Sequence, residues 1–382
     1  MSARLNLFYI CQKSWDEMRE VVIVGGGIVG LLSAFELTKR EIPVIVIDES
    51  GGRQASWAGG GILSPLYAWR YSDAMNRLTF DAMQRYVALF GELVGSSLDW
   101  SDLHRGGLWA HVGSEDFAKM KDWAARWGVS YEVLSGKELL PSFPFAEGIL
   151  FPDLGSVRNP RFLKALRNYL VSRGVSFIRD KVVSLIPKQK GVILETRDRR
   201  VVDARSLVIS AGVGSNKMLS MLGVSLPMFP VKGEMLLYQL PPGKVPAIML
   251  TESGYLIPRS DGAILVGSTL AQGDASTYPT VAGRYQLEAV AAKLLPELSG
   301  LKPLYHWAGV RPGSALDHPY IGPVPGLAGV FVASGHYRNG LVSAPATAEI
   351  LAQMVCGEKP FTDPSAYSLS PVSRSRSSFF SR

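Results

Sequence analysis

The β-branched run "VVIV" at residues 21–24, the glycines behind it and the apolar positions Ile28, Leu31, Leu32 and Phe35 predict a strand, a tight turn and a helix. A second apolar run, Val44 to Ile47, completes a βαβ unit. Residues 73–94 and "SEDFAKMKDWAARWGV" (114–129) carry helical spacing, and Gly128 ends the second. "NPRFLKALRNYLVSRGV" (159–175) has Asn159 placed as an N-cap, Pro160 at the first helical position and Gly174 after the last turn. Alternating runs follow: "VSFIR", "VVSLI", "GVILET" and "SLVISAG". Residues 227–315 read mainly as strands and turns of an antiparallel sheet, and the chain closes with the strand "GVFVASG" and a helix starting at Asn339 or Gly340, after "GHYRNG".

No fixed-period repeat interrupts this order. A glycine turn in a βαβ unit comes first, a sheet-rich block is inserted, and strand plus helix return at the end. The pattern predicts an α/β fold in which a Rossmann-like dinucleotide domain is assembled from residues 18–95, 151–226 and 316–362. A second, mainly antiparallel-sheet substrate domain is expected from 96–150 and 227–315.

Composition narrows the function without naming it. The 382 residues are 47% apolar, enough for a large core or two. The formal charge of +7 is spread thinly rather than gathered into a stripe, which argues against nucleic acid as a partner. Part of the excess sits in the Ser- and Arg-rich stretch 363–382, read as a solvated, disordered tail. Two cysteines, Cys11 and Cys356, support neither a disulfide framework nor a metal site, and a cytoplasmic setting is expected. The run from Val21 to Phe35 is broken by glycines and closed by Glu36 and Lys39 short of the about 20 residues of a membrane span. Residues 1–17 read as an N-terminal extension without the pattern of a secretory signal.

Gly25, Gly27 and Gly30 form a G-x-G-x-x-G, in which the glycines permit the turn, the approach of a pyrophosphate and the contact of helix with strand. Asp48, at the end of the second strand, can accept from a ribose hydroxyl. FAD and NAD share this fingerprint. The small residues Ala58 to Gly61 would let a flat ring lie against backbone, and a flexible surface loop would look the same. At "GHYRNG" a helix mouth offers N–H groups and partial positive charge to a reduced flavin, and Arg338 could fork onto a substrate carboxylate. An exposed salt bridge is the alternative for Arg338. For His336, backbone contact with a flavin is preferred to acid-base chemistry.

The segments "VVIVGGGIVG", "SWAGGGILSPLYAWRY", "VKGEMLLY", "YLIPRSDGAILVGST", "WAGVRPGS", "PYIGPVPG" and "GHYRNGLVSAPAT" together resemble the glycine oxidase branch of the D-amino acid oxidase family of flavoproteins, from about residue 20 to 365. The resemblance implies a glutathione-reductase-like FAD domain and non-covalent FAD. It places Ile28 and Val29 at the pyrophosphate, Asp48 and Glu49 at the ribose, and Gln54, Ala55, Gly59, Gly60 and Gly61 along the cofactor. Val182 would meet the adenine, and His336, Tyr337, Arg338, Asn339, Gly340, Leu341 and Val342 would line the flavin. Arg311 would grip a substrate carboxylate, with Arg338 and Tyr255 as further contacts.

The implied reaction is oxidation of glycine or another small amino acid to an imine, with oxygen as acceptor, in thiamine biosynthesis. A D-amino acid or sarcosine oxidase or dehydrogenase, and a flavin domain acting on tRNA, are the rivals. A homo-oligomer without metal or membrane is expected. Ala68 and Ser343 depart from residues common in the branch, which touches pocket size rather than chemistry.

Overall fold

A computed structural model describes residues 20–49, 55–95 and 98–369. Gln54, Cys11 and the extension 1–17 lie outside the described residues. The strand Val21–Val24 is buried at every position. Its side chains alternate between two cores: Val21 and Ile23 enter one, Val22 and Val24 the other. Such a strand needs cover on both faces, which explains a run with no polar residue.

It is flanked in parallel by Val44–Ile47 and Ser206–Ile209. The full sheet has six strands in the order Tyr320–Pro323, Val330–Ser334, Ser206–Ile209, Val21–Val24, Val44–Ile47, Ser176–Ile178. Only the Tyr320–Pro323 edge is antiparallel. Three of its five neighbouring pairs join stretches more than a hundred residues apart in sequence. On one face the helix Ile28–Lys39 packs against Gly340–Cys356 and Asn159–Ser172. The other face is covered by the meander Val182–Pro187, Val192–Thr196 and Val201–Ala204.

A nine-stranded sheet carries the rest of the site. Its long strand Met228–Gln239 pairs antiparallel with Tyr305–Ser314 on one side and Ala263–Gly267 on the other. One pair, Ile248–Thr251 with Leu108–His111, is parallel.

Three features differ from the sequence pattern. Between residues 227 and 315 there is a helix, Val281–Leu294, capped by the Thr280 hydroxyl and buried through Leu287, Ala291 and Leu294. It takes one face of the sheet, and its exposed Val281 and Tyr285 blur the period that would have announced it. Asn159 does not cap its helix: Arg158 holds the N-cap position, and the Asn159 side chain is used elsewhere. The expected tail does not start at Asp363. Tyr367 is buried and donates to the Ala74 carbonyl at 2.8 Å, and Leu369 is buried as well.

Candidate functional site

Gly25 sits at φ +114°, and a Cβ there would lie 2.4 Å from the Ser210 carbonyl oxygen. A Cβ on Gly30 would lie 1.9 Å from the Gly25 carbonyl oxygen. No side chain fits either position, so the turn brings bare backbone to the start of the helix Ile28–Lys39. Asp48 Oδ2 accepts from the Gly26 N–H at 3.1 Å, which ties the acid to the turn. The Ile28 N–H is held by Ser56 Oγ at 3.0 Å.

From this turn a cavity of about 520 Å³ runs across the ends of the parallel strands and down to the nine-stranded sheet. Gly25, Gly27, Ile28 and Val29 line one end, with Asp48, Glu49 and Val182 beside them. Glu49 is paired with Lys181 at 2.9 Å and Arg197 at 3.3 Å. Ala55 and Gly59 to Gly61 form the middle wall. Tyr255, Arg311, His336, Tyr337, Arg338, Gly340 and Leu341 close the far end. Three residues expected at the site stand behind its wall. Gly30 serves helix packing, and Asn339 and Val342 are buried off the cavity.

Gly61, at φ +83°, would place a Cβ 2.0 Å from the Val157 carbonyl oxygen. Gly25 and Gly61, neither of which has room for a Cβ, keep bare backbone along the cavity, which suits a flat, phosphate-bearing group. The acid at the turn and the start of the helix Ile28–Lys39 suit its ribose and pyrophosphate. FAD fits the residues present.

At the far end, the Tyr337 N–H donates to the Pro312 carbonyl at 2.9 Å and locks the "GHYRNG" loop to the strand that carries Arg311. That bond brings two guanidiniums into one cavity. Arg311 donates to Ser268 Oγ at 2.9 Å and to the Thr269 carbonyl at 3.4 Å. Burial pulls its pKa below the usual arginine range, with Tyr255 opposing and Arg338 adding to the fall. Arg338 lies over the Tyr337 ring at 5.3 Å, and its buried Nε has no partner. Among the described residues no carboxylate pairs with either arginine. Two half-buried guanidiniums that no carboxylate pairs among the described residues can bind an anion.

His336 is buried, with Nε2 3.2 Å from Thr347 Oγ1, and burial pushes its pKa down to about 3. It is therefore neutral and supplies no proton chemistry at ordinary pH. Burial likewise raises the Tyr67 and Tyr71 phenols, which Arg338 partly opposes.

Sequence reasoning missed residues that act by making room. A Cβ on Gly233 would sit 2.1 Å from Arg311 Nη1, and one on Gly267 would sit 2.6 Å from the Tyr255 hydroxyl. A glycine inside a strand is the available signal for such close approach, and "VKGEM" and "LVGST" both show it. Asn159 donates to the Ser56, Trp57 and Gly59 carbonyls and so anchors the middle wall.

The model of the family DAO, described as FAD dependent oxidoreductase, matches residues 20–354. The chain is 40% identical over 362 residues to a glycine oxidase of Pseudomonas putida, covering 91% of this chain and 98% of that protein. It is 28% identical to a bifunctional protein ThiO/ThiG of Synechocystis sp., covering 92% of this chain and 53% of that protein. Among solved structures, a glycine oxidase from Geobacillus kaustophilus superposes with a TM-score of 0.86 at 26% identity, covering 92% of this chain and 99% of that one.

Proposed function

The chain belongs to the DAO family of FAD dependent oxidoreductases, and from that premise we propose that it oxidises glycine and other small primary or secondary amino acids. The products are the imine, which hydrolyses to glyoxylate and ammonia, and hydrogen peroxide from oxygen. The imine serves thiazole formation in thiamine synthesis, a reading supported by the relative that joins ThiO to ThiG.

The observation that carries this proposal is the pair of arginines without counterions in the cavity that the glycine wall lines. Arg311, pinned by Ser268 and Thr269, presents its remaining donors to a carboxylate, and a bidentate bond fixes the orientation of the amino acid. Arg338 adds a second positive charge and Tyr255 a hydroxyl at the same end. When bound, FAD accepts two electrons from the substrate carbon. The protein's share is to bind, orient and keep water out. Among the described residues no carboxylate or titrating histidine lines this end to take a proton, so the substrate amine reacts in its neutral form.

The test is a panel of glycine, sarcosine and small D-amino acids given to FAD-loaded protein, read by oxygen uptake and catalase-sensitive peroxide. Glycine should be turned over with peroxide in equal amount to the oxygen used. Failure of every amino acid to reduce the flavin would overturn the proposal, and reduction without oxygen uptake would turn it towards a dehydrogenase.

A further inference from the structure

Every carbonyl from Ser56 to Gly61 accepts a hydrogen bond from outside its own segment. Asn159 Nδ2 takes those of Ser56, Trp57 and Gly59. Trp307 Nε1 takes Ala58 at 2.9 Å, Arg259 Nη2 takes Gly60 at 2.8 Å, and the Val157 N–H takes Gly61 at 2.9 Å. Three separate stretches of chain, 157–159, 259 and 307, thus draw one edge of the segment backwards. The other edge is left over: the Gly60 and Gly61 N–H groups have no acceptor among the described residues. In a trans peptide the C=O and N–H point in opposite directions. The bond from Gly60 to Arg259 therefore turns the Gly61 N–H the other way, since Gly60 and Gly61 line the cavity and Arg259 does not.

Arg259 is the odd member of this set. It is 5% exposed. Its bonds go to the Gly60 carbonyl and to Ser156 Oγ at 2.9 Å, and its Nε has no partner. The acids nearby are engaged elsewhere, Asp261 with Arg158 and Asp102 with Arg161. Burial, with a smaller push from Arg158, lowers its pKa to about 10, which leaves it charged at neutral pH. A buried cation without a counterion is destabilising. Neutral donors satisfy carbonyls of the same segment equally well, as Asn159 and Trp307 do. The charge therefore answers to something beyond the carbonyl.

We infer that Arg259 is a positioning residue for the cofactor: through the Gly60–Gly61 peptide it presents a charge-strengthened N–H to the flavin ring and favours the reduced, electron-rich ring over the oxidised one. It does so without touching the ring. The inference rests on the reading that this glycine wall lies along FAD.

The experiment compares wild type, Arg259→Met and Arg259→Lys, each stripped of flavin and titrated with FAD by fluorescence, then reduced in equilibrium with a dye of known potential. Arg259→Met should weaken FAD binding about tenfold, roughly 1.4 kcal/mol. It should also shift the reduction equilibrium of the bound ring about tenfold towards the oxidised form, about 30 mV for a two-electron couple. Arg259→Lys keeps the charge and should restore most of that second shift. A residue serving the fold alone would lower the Tm and leave the reduction equilibrium of bound flavin unchanged in both variants, which overturns the inference. If Arg259→Met is not recovered folded, Arg259→Gln takes its place as the neutral donor, with the same reduction equilibrium deciding. Wild type that rejects FAD would overturn the cofactor reading itself, whereas wild type that binds it, with variants matching it in potential, overturns only the role of Arg259.

Discussion

At the glycine-turn end of the cavity the acids are engaged inside the chain, Asp48 by the Gly26 N–H and Glu49 by Lys181 and Arg197. At the arginine end neither Arg311 nor Arg338 has a carboxylate among the described residues. The first end holds its acids in place and offers mainly shape. The second holds uncompensated charge, which is what a site that must seize a small anion requires. Stability is spent at one end for recognition at the other.

The sharpest break of this contrast comes from the shape-bearing end. Gly30→Val would drive a side chain into the Gly25 carbonyl, 1.9 Å from where its Cβ must stand. Loss of FAD binding by more than about a hundredfold, or loss of folded protein, is expected by titration and circular dichroism. At the other end Arg311→Ala should raise KM for glycine about a hundredfold, near 3 kcal/mol, in steady-state assays. The same variant should hold or slightly raise Tm, because it removes a half-buried cation that no carboxylate balances among the described residues. A large fall in Tm would show that Arg311 is structural and erase the contrast.

Gly233→Ala tests the room made for that arginine. With a Cβ 2.1 Å from Nη1, the guanidinium must move, and KM should rise about tenfold with FAD affinity unchanged. His336 gives the smallest effect on activity. Its folded pKa is depressed, so the unfolded chain binds the extra proton first, and stability falls as pH drops from about 6.5, the unfolded value. Melting curves of His336→Asn against wild type should therefore converge as pH falls towards 4, by up to about 1.4 kcal/mol per pH unit. The pH dependence of kcat/KM should carry no inflection from this histidine.

The same contrast explains what the sequence revealed. Gly25, Gly27, Gly30 and Asp48 fall within one βαβ unit, so local spacing carries the whole arrangement. Arg338 was legible from the helix mouth that follows it. Arg311 emerged only through resemblance, because its neighbours Ser268, Gly233 and Tyr255 reach it across strand pairings of distant residues. Asn159 was misleading for a related reason: its side chain leaves its own helix to hold carbonyls a hundred residues upstream. The helix Val281–Leu294 escaped notice because the strand-rich segments on either side dominate the pattern. Local periodicity is visible in one dimension, and the cross-strand geometry that builds the arginine end is not.

The central claim is that Arg311 and Arg338 bind a small carboxylate against bound FAD. Titration of the FAD-loaded protein with acetate, which cannot be oxidised as an amine, tests it directly through the visible absorption of the flavin. A saturable spectral change in wild type, absent or shifted about a hundredfold in Arg311→Ala, is the expected result. A spectrum indifferent to acetate, or one that responds equally in the variant, would contradict it.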